Sequence, residues 1–149
     1  MRLNRIFVLI YFVLVCNISQ AQVGINTSLP LSTLDINGNL SIKALGISPT
    51  FNGGPPGSAT PIDDGVYISL TPLAGNVEFI VPNAALVPGR TYILRNISNS
   101  ITAQLYSFGG QFFSKDSNTT TAAPLNLPSN AALKTIILIS DGQNWTYIF

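Results

Sequence analysis

The chain reads as an all-β protein, a short N-terminal hairpin followed by an antiparallel β-sandwich or jelly-roll-like domain. Three observations predict this. From residue 62 to the end, apolar residues recur mostly with period two. Short runs rich in β-branched and aromatic residues are separated by clusters of Gly, Asn, Asp, Ser and Pro. Beyond the N-terminal apolar run, no stretch shows the spacing of an amphipathic helix.

The N-terminus reads as an export signal. Arg2 and Arg5 form a positive region, residues 6–15 are an apolar run, and a polar stretch ends at Ser19-Gln20-Ala21. Small residues at Ser19 and Ala21 suit signal peptidase, so residues 1–21 are the signal and cleavage falls between Ala21 and Gln22. The run is too short to span a bilayer, which takes about 18 residues. A lipoprotein signal using Cys16 is disfavoured because Val15, not a small residue, precedes the cysteine.

Cleavage would leave no cysteine, and the chain has no histidine. The 7 basic and 6 acidic residues lose Arg2 and Arg5, which leaves five against six and a net charge of −1. A near-neutral chain with 9% charged residues has no electrostatic footprint for nucleic acid. No later segment is long and apolar enough for a membrane helix, so no membrane span is expected in the mature chain.

Residues 22–45 come next. Leu34 and Ile36 alternate with polar neighbours, Asn37-Gly38 interrupts, and Leu40 and Ile42 resume the alternation. Asn-Gly between such runs predicts a type I′ turn and a hairpin. A two-stranded hairpin is marginal alone and needs a surface to pack on. Residues 46–61 form a Gly/Pro linker by composition; a collagen reading fails because Thr60 stands where a glycine is required.

Residues 62–149 form a β-rich head. Strands are expected at 66–70, 77–81, 91–97, 101–106, 135–140 and 145–149. One buried face should hold Val77, Phe79, Val81, Tyr92, Leu94, Trp145, Tyr147 and Phe149. The continuously apolar 136–139 predicts a central strand covered on both sides. Residues 112–130 are expected to be irregular.

Little here can carry catalysis. Without His and mature Cys, most triads, zinc sites and thiol chemistry are excluded, and neither a metal nor a cofactor is expected. The carboxylates are Asp35, Asp63, Asp64, Glu78, Asp116 and Asp141. Asp63 and Asp64 are adjacent, and on a strand neighbours point to opposite faces, so they read as a solvated turn rather than a glycosidase pair. Residues 35–39 lack the glycine position and closing glutamate of a calcium loop. The N-x-S/T matches are what an Asn-, Ser- and Thr-rich chain contains by chance.

Two stretches carry a resemblance. GINTSLPLSTLDINGNLSIK is similar to the N-terminal segment of secreted bacterial fibre-like proteins and phage tail fibres, matched at Gly24, Thr27, Pro30, Leu34, Asp35 and Gly38. Residues 81–98 and 133–149 resemble the β-rich head of tail-fibre-like proteins, matched at Gly89, Thr91, Asn96, Asp141, Gly142, Asn144 and Trp145. The resemblance implies structural roles for these residues, a homotrimer, and an extracellular or cell-surface address. A single GINT-type unit and a short linker replace the long stalk of that family.

The expected function is therefore a secreted, non-enzymatic structural or adhesive module that binds a surface glycan or cell-surface receptor through residues 112–130. Two alternatives compete. Trp145, Tyr147 and Phe149 alternate up to the C-terminus as in an outer-membrane β-barrel, although the strands are short for one. A small polysaccharide-acting enzyme would need converging acids.

Overall fold

A computed structural model describes residues 23–29 and 32–149. The signal segment, with Ala21 and Gln22, and also Pro30, lie outside the described residues. The chain divides into two compact units, Met1–Ser41 and Ile42–Phe149.

In the first unit, β1 (Val23–Ile25) pairs with β2 (Leu34–Ile36) in parallel, with Val23 opposite Leu34 and Ile25 opposite Ile36. The expected hairpin across Asn37-Gly38 does not form. The Asn37 N–H donates to the Ile25 carbonyl at 3.0 Å, which extends the parallel ladder and takes Asn37 out of any turn. The left-handed backbone falls at Asn26 (φ 58°), whose side-chain amide donates to the Asn37 carbonyl at 3.0 Å.

The regular structure of the second unit is nearly all β: β3 (Ala44–Leu45), β4 (Phe51–Asn52), β5 (Thr60–Pro61), β6 (Tyr67–Thr71), β7 (Glu78–Val81), β8 (Thr91–Asn96), β9 (Ala103–Ser107), β10 (Phe112–Ser114), β11 (Thr120–Thr121), β12 (Leu125–Leu127), β13 (Thr135–Ser140) and β14 (Trp145–Ile148). Its described residues form two sheets. The larger, of eight strands, runs β11-β10-β14-β13-β8-β6, with β3 and β4 end to end along the free side of β6; the smaller runs β12-β9-β7-β5. This is an all-β sandwich. Strands of two to six residues are shorter than the roughly 9–11 a membrane-spanning strand takes.

The pairing is mixed rather than antiparallel. From β6 to β10 the chain alternates between sheets at every connection, so neighbours in one sheet lie two strands apart in sequence. Two reversals separate such neighbours. Accordingly β6 and β8 run parallel, as do β7 and β9. The turn residues at 74–76, 88–89 and 98–100 therefore close passages across the sandwich, not hairpins. Antiparallel pairing appears in β10–β11, β9–β12, β8–β13 and β13–β14.

Period two delivers the core. Phe79, Val81, Ala103, Leu105, Leu125 and Leu127 point inward from the small sheet. Ile68, Leu70, Tyr92, Leu94, Ile136, Leu138, Trp145 and Tyr147 meet them from the large one. Two expectations need correction. Phe149 is 51% exposed, because the strand ends at Ile148 and its ring only stacks on the Tyr147 edge of the sandwich, centroids 6.1 Å apart. The strand β13 is central but covered on one side, since Ile137 faces outward at 38% exposure.

The segment 46–61 is no free linker. It supplies β4 and β5, and Phe51 stacks on core Phe79 with centroids 5.9 Å apart. Residues 112–130 likewise contain β10, β11 and β12. Gly/Pro composition marks turns, but it also permits close backbone approach. A Cβ on Gly54 would lie 1.9 Å from the Ser58 carbonyl oxygen.

Candidate functional site

The motif residues of the head act structurally. Asn96 is fully buried at the end of β8, and its amide donates to the carbonyls of Ile101 and Leu127, both at 2.8 Å. Its oxygen accepts the Ser98 N–H at 2.9 Å, so one side chain ties β8 to the β8–β9 turn and to β12. The Asp141 carboxylate accepts the N–H groups of Asn144 (2.6 Å) and Gln143 (2.8 Å), closing the β13–β14 hairpin where Gly142 takes φ 90°. Those N–H groups, Asn144 first and then Gln143, hold the Asp141 carboxyl below its usual range. The Asn144 oxygen accepts the Gln111 N–H at 3.0 Å, and Trp145 is fully buried with its indole N–H on the Pro82 carbonyl at 3.2 Å. Gly89 (φ 75°) sends its N–H to the Ser140 carbonyl at 2.9 Å, and Thr91 starts β8.

The motif residues of the first unit make a small two-faced element. Parallel register places Val23, Ile25, Leu34 and Ile36 on one face, and Gly24 and Asp35 on the other. Val23, Ile25 and Leu34 are each more than half exposed. The Thr27 hydroxyl accepts the Leu29 N–H, while Gly38 sits in an open bend.

Around residues 112–130, a depression of about 330 Å³ is lined by Lys115, Ser117, Asn118, Asp141 and Asn144. Most of these polar groups are already paired: Lys115 with Asp116, Ser117 with Thr119, Asp141 and Asn144 as above.

A different place is chemically richer. On the outer face of the small sheet, Glu78 and Ile80 of β7 stand beside Gln104 and Tyr106 of β9. The Gly/Pro segment folds over them. Gly54 and Glu78 exchange backbone hydrogen bonds at 2.8 and 3.0 Å. Pro55-Pro56-Gly57-Ser58 then turns, with the Ser58 N–H on the Pro55 carbonyl and Gly57 at φ 79°, as a type II turn with Pro before Gly requires. That turn delivers the Gly57 N–H to Glu78 Oε2 at 2.9 Å. The Tyr106 hydroxyl donates to Oε1 at 3.3 Å.

The result is a glutamate only 7% exposed, in the wall of an open cavity of about 520 Å³ that Tyr106 and Phe108 also line. Among the described residues it makes no ion pair; Lys43 pairs with Asp64 and Lys115 with Asp116. Burial, and then the Glu78 charge, push the Tyr106 phenol above its usual range. In the sequence Glu78 stands only among the carboxylates, because a charged residue between Val77 and Phe79, both expected inward, falls on the outer face of its strand. The signal that could have raised it is Pro56-Gly57, which predicts a tight turn and hence an ordered loop. The described residues hold no cluster of three or more His, Cys, Asp or Glu able to bind a metal. No protein-family model, curated protein or solved structure matches the chain, and the reading of the site rests on its geometry.

Proposed function

We propose that the chain is an exported, non-enzymatic structural or adhesive module that acts outside the cell or at its surface. In this reading residues 22–41 join copies into a homotrimer, and the β-sandwich head is displayed to meet a surface glycan or receptor. The observation that carries it is the apolar face of the first unit. Val23, Ile25 and Leu34 are 55%, 51% and 55% exposed on a two-stranded element too small to be stable by itself. Burying such a face against other copies of the chain supplies both stability and assembly.

A second feature fits. Across the outer face of the large sheet, Tyr67, Ile93, Ile137 and Ile148 lie in one register-matched row of β6, β8, β13 and β14. Absence of histidine, and of mature cysteine, supports the non-enzymatic reading. The test is the mass of the exported protein by light scattering. A trimer that Leu34→Asp converts to a monomer with unchanged β-sheet circular dichroism supports the proposal. A parent chain that is monomeric at micromolar concentration overturns the assembly.

A further inference from the structure

We infer that the cavity over Glu78 binds the ammonium group of an amine-bearing ligand. This goes beyond the surface-module reading and does not depend on it, since the cavity lies wholly within Ile42–Phe149.

Withdrawing an anion from water is strongly unfavourable unless hydrogen bonds and a counter-charge compensate it. Glu78 is 7% exposed, has two neutral donors and forms no ion pair among the described residues. A carboxylate offers about four acceptor directions, so roughly two remain open. Glu78 lines the cavity, where a ligand can meet them.

Most donors of the wall are already engaged, with the hydroxyl of exposed Ser58 the exception. The N–H of Gly57 goes to Glu78 Oε2, that of Ser58 to Pro55 and that of Phe108 to the Val81 carbonyl. The Tyr106 hydroxyl goes to Glu78 Oε1, and the Ser107 hydroxyl to the Gly109 carbonyl at 2.6 Å. A ligand here must bring donors to Glu78 and, beyond the Ser58 hydroxyl, finds little to satisfy its acceptors. An ammonium group has three donors and no acceptor, whereas every sugar hydroxyl brings an acceptor with its donor.

Two aromatic rings complete the match. Tyr106 and Phe108 line the same cavity, and Phe108, 65% exposed, is open to a ligand. Ring faces attract cations, and their apolar area suits the carbon skeleton behind the nitrogen. The volume, about 520 Å³, lies within the range of small-ligand sites. Such an ammonium could be carried by a lysine side chain or by an amino sugar, and the cavity chemistry is common to both.

The experiment is a titration of the exported full chain followed by ¹H–¹⁵N shifts, with the Gly57 amide as reporter because it bonds Glu78 directly. Two cationic probes are each compared with a neutral counterpart: Nα-acetyl-lysine methylamide against its Nε-acetyl form, and glucosamine against glucose. The expected result is saturable binding of at least one amine, roughly tenfold or more tighter than its neutral counterpart. The probe that binds tighter identifies the source. Glu78→Gln should reduce that affinity at least tenfold, and Phe108→Ala several-fold. Because Phe108 lies outside the core, its loss leaves the fold intact and keeps the test valid if the Glu78 variant unfolds. Glucose binding as tightly as glucosamine, no shift with either amine, or unchanged amine affinity in Phe108→Ala would each overturn the inference.

Discussion

Replacing Trp145 with alanine is expected to be the most damaging single truncation in the head. The indole is fully buried, its centroid lies 5.9 Å from that of Tyr92, and its N–H bonds the Pro82 carbonyl at 3.2 Å. Truncating a buried Trp to Ala costs about 3–5 kcal/mol from lost transfer energy and the cavity left behind. Full burial and the paired Tyr92 ring place this site at the upper end, about 4–5 kcal/mol. For a domain of this size each kcal/mol lowers the melting temperature by roughly 4–8 °C. A thermal melt followed by far-ultraviolet circular dichroism should therefore drop by roughly 20 °C or more, and a head at the low end of ordinary stability, about 5 kcal/mol, would be left marginal. Trp145→Phe separates the causes. It keeps most of the ring volume and loses the N–H, while the Ser107 hydroxyl, 3.4 Å from Pro82 O, can still reach that carbonyl. Its cost should be about 1–2 kcal/mol. Equal damage from both variants would refute the packing argument, and so would a Trp145→Ala head that melts within a few degrees of the parent.

Asn96→Ala strands two carbonyls and an N–H in the interior and should cost about 2–4 kcal/mol by chemical denaturation; Asn96→Asp, which turns an oxygen toward both carbonyls, should cost at least as much. Gly54→Ala would put a methyl group 1.9 Å from the Ser58 carbonyl, so the loop must shift; about 1–3 kcal/mol of stability and the Gly57–Glu78 amide signal should both be lost. Asp141 has a folded-state pKa depressed by the Asn144 and Gln143 N–H groups, so its contribution is present above the unfolded value of about 3.9 and disappears as pH falls through the folded value. Asp141→Asn should flatten that acid limb of a stability–pH curve, by less than about 1 kcal/mol because the group is exposed. In the first unit, Ile25→Asp should dissociate the proposed trimer as Leu34→Asp should, because the two side chains share one face; light scattering that shows an intact trimer in either variant would contradict the shared-face argument.

Six strands of the head, β6 to β9, β13 and β14, are legible in the amino-acid sequence, as is the buried side of most of them, whereas β10 to β12 are not. Glu78–Val81, Thr91–Asn96 and Trp145–Ile148 lie within a residue or so of where alternation places them, because a half-buried strand must repeat every second residue. The sequence also determined the β13–β14 hairpin, since Asp141-Gly142 supplies both the capping carboxylate and the backbone freedom of the turn. Strand direction was decided only in the tertiary structure. Side chains alternate identically in parallel and antiparallel ladders, so nothing in β6 or β8 announces that they run the same way. Leu34–Ile36 shows the same limit: its pattern suits a hairpin, yet its partner is Val23–Ile25, because backbone groups pair with whatever edge the chain brings near. The outward exposure of Ile137 depends on a sheet with one open face, which a run of apolar residues cannot distinguish from one covered on both sides. The candidate site lies furthest from the sequence. Glu78, Gly57 and Phe108 come from three segments, and only the folding of the Gly/Pro loop across two strands turns an isolated glutamate into a desolvated carboxylate facing a cavity.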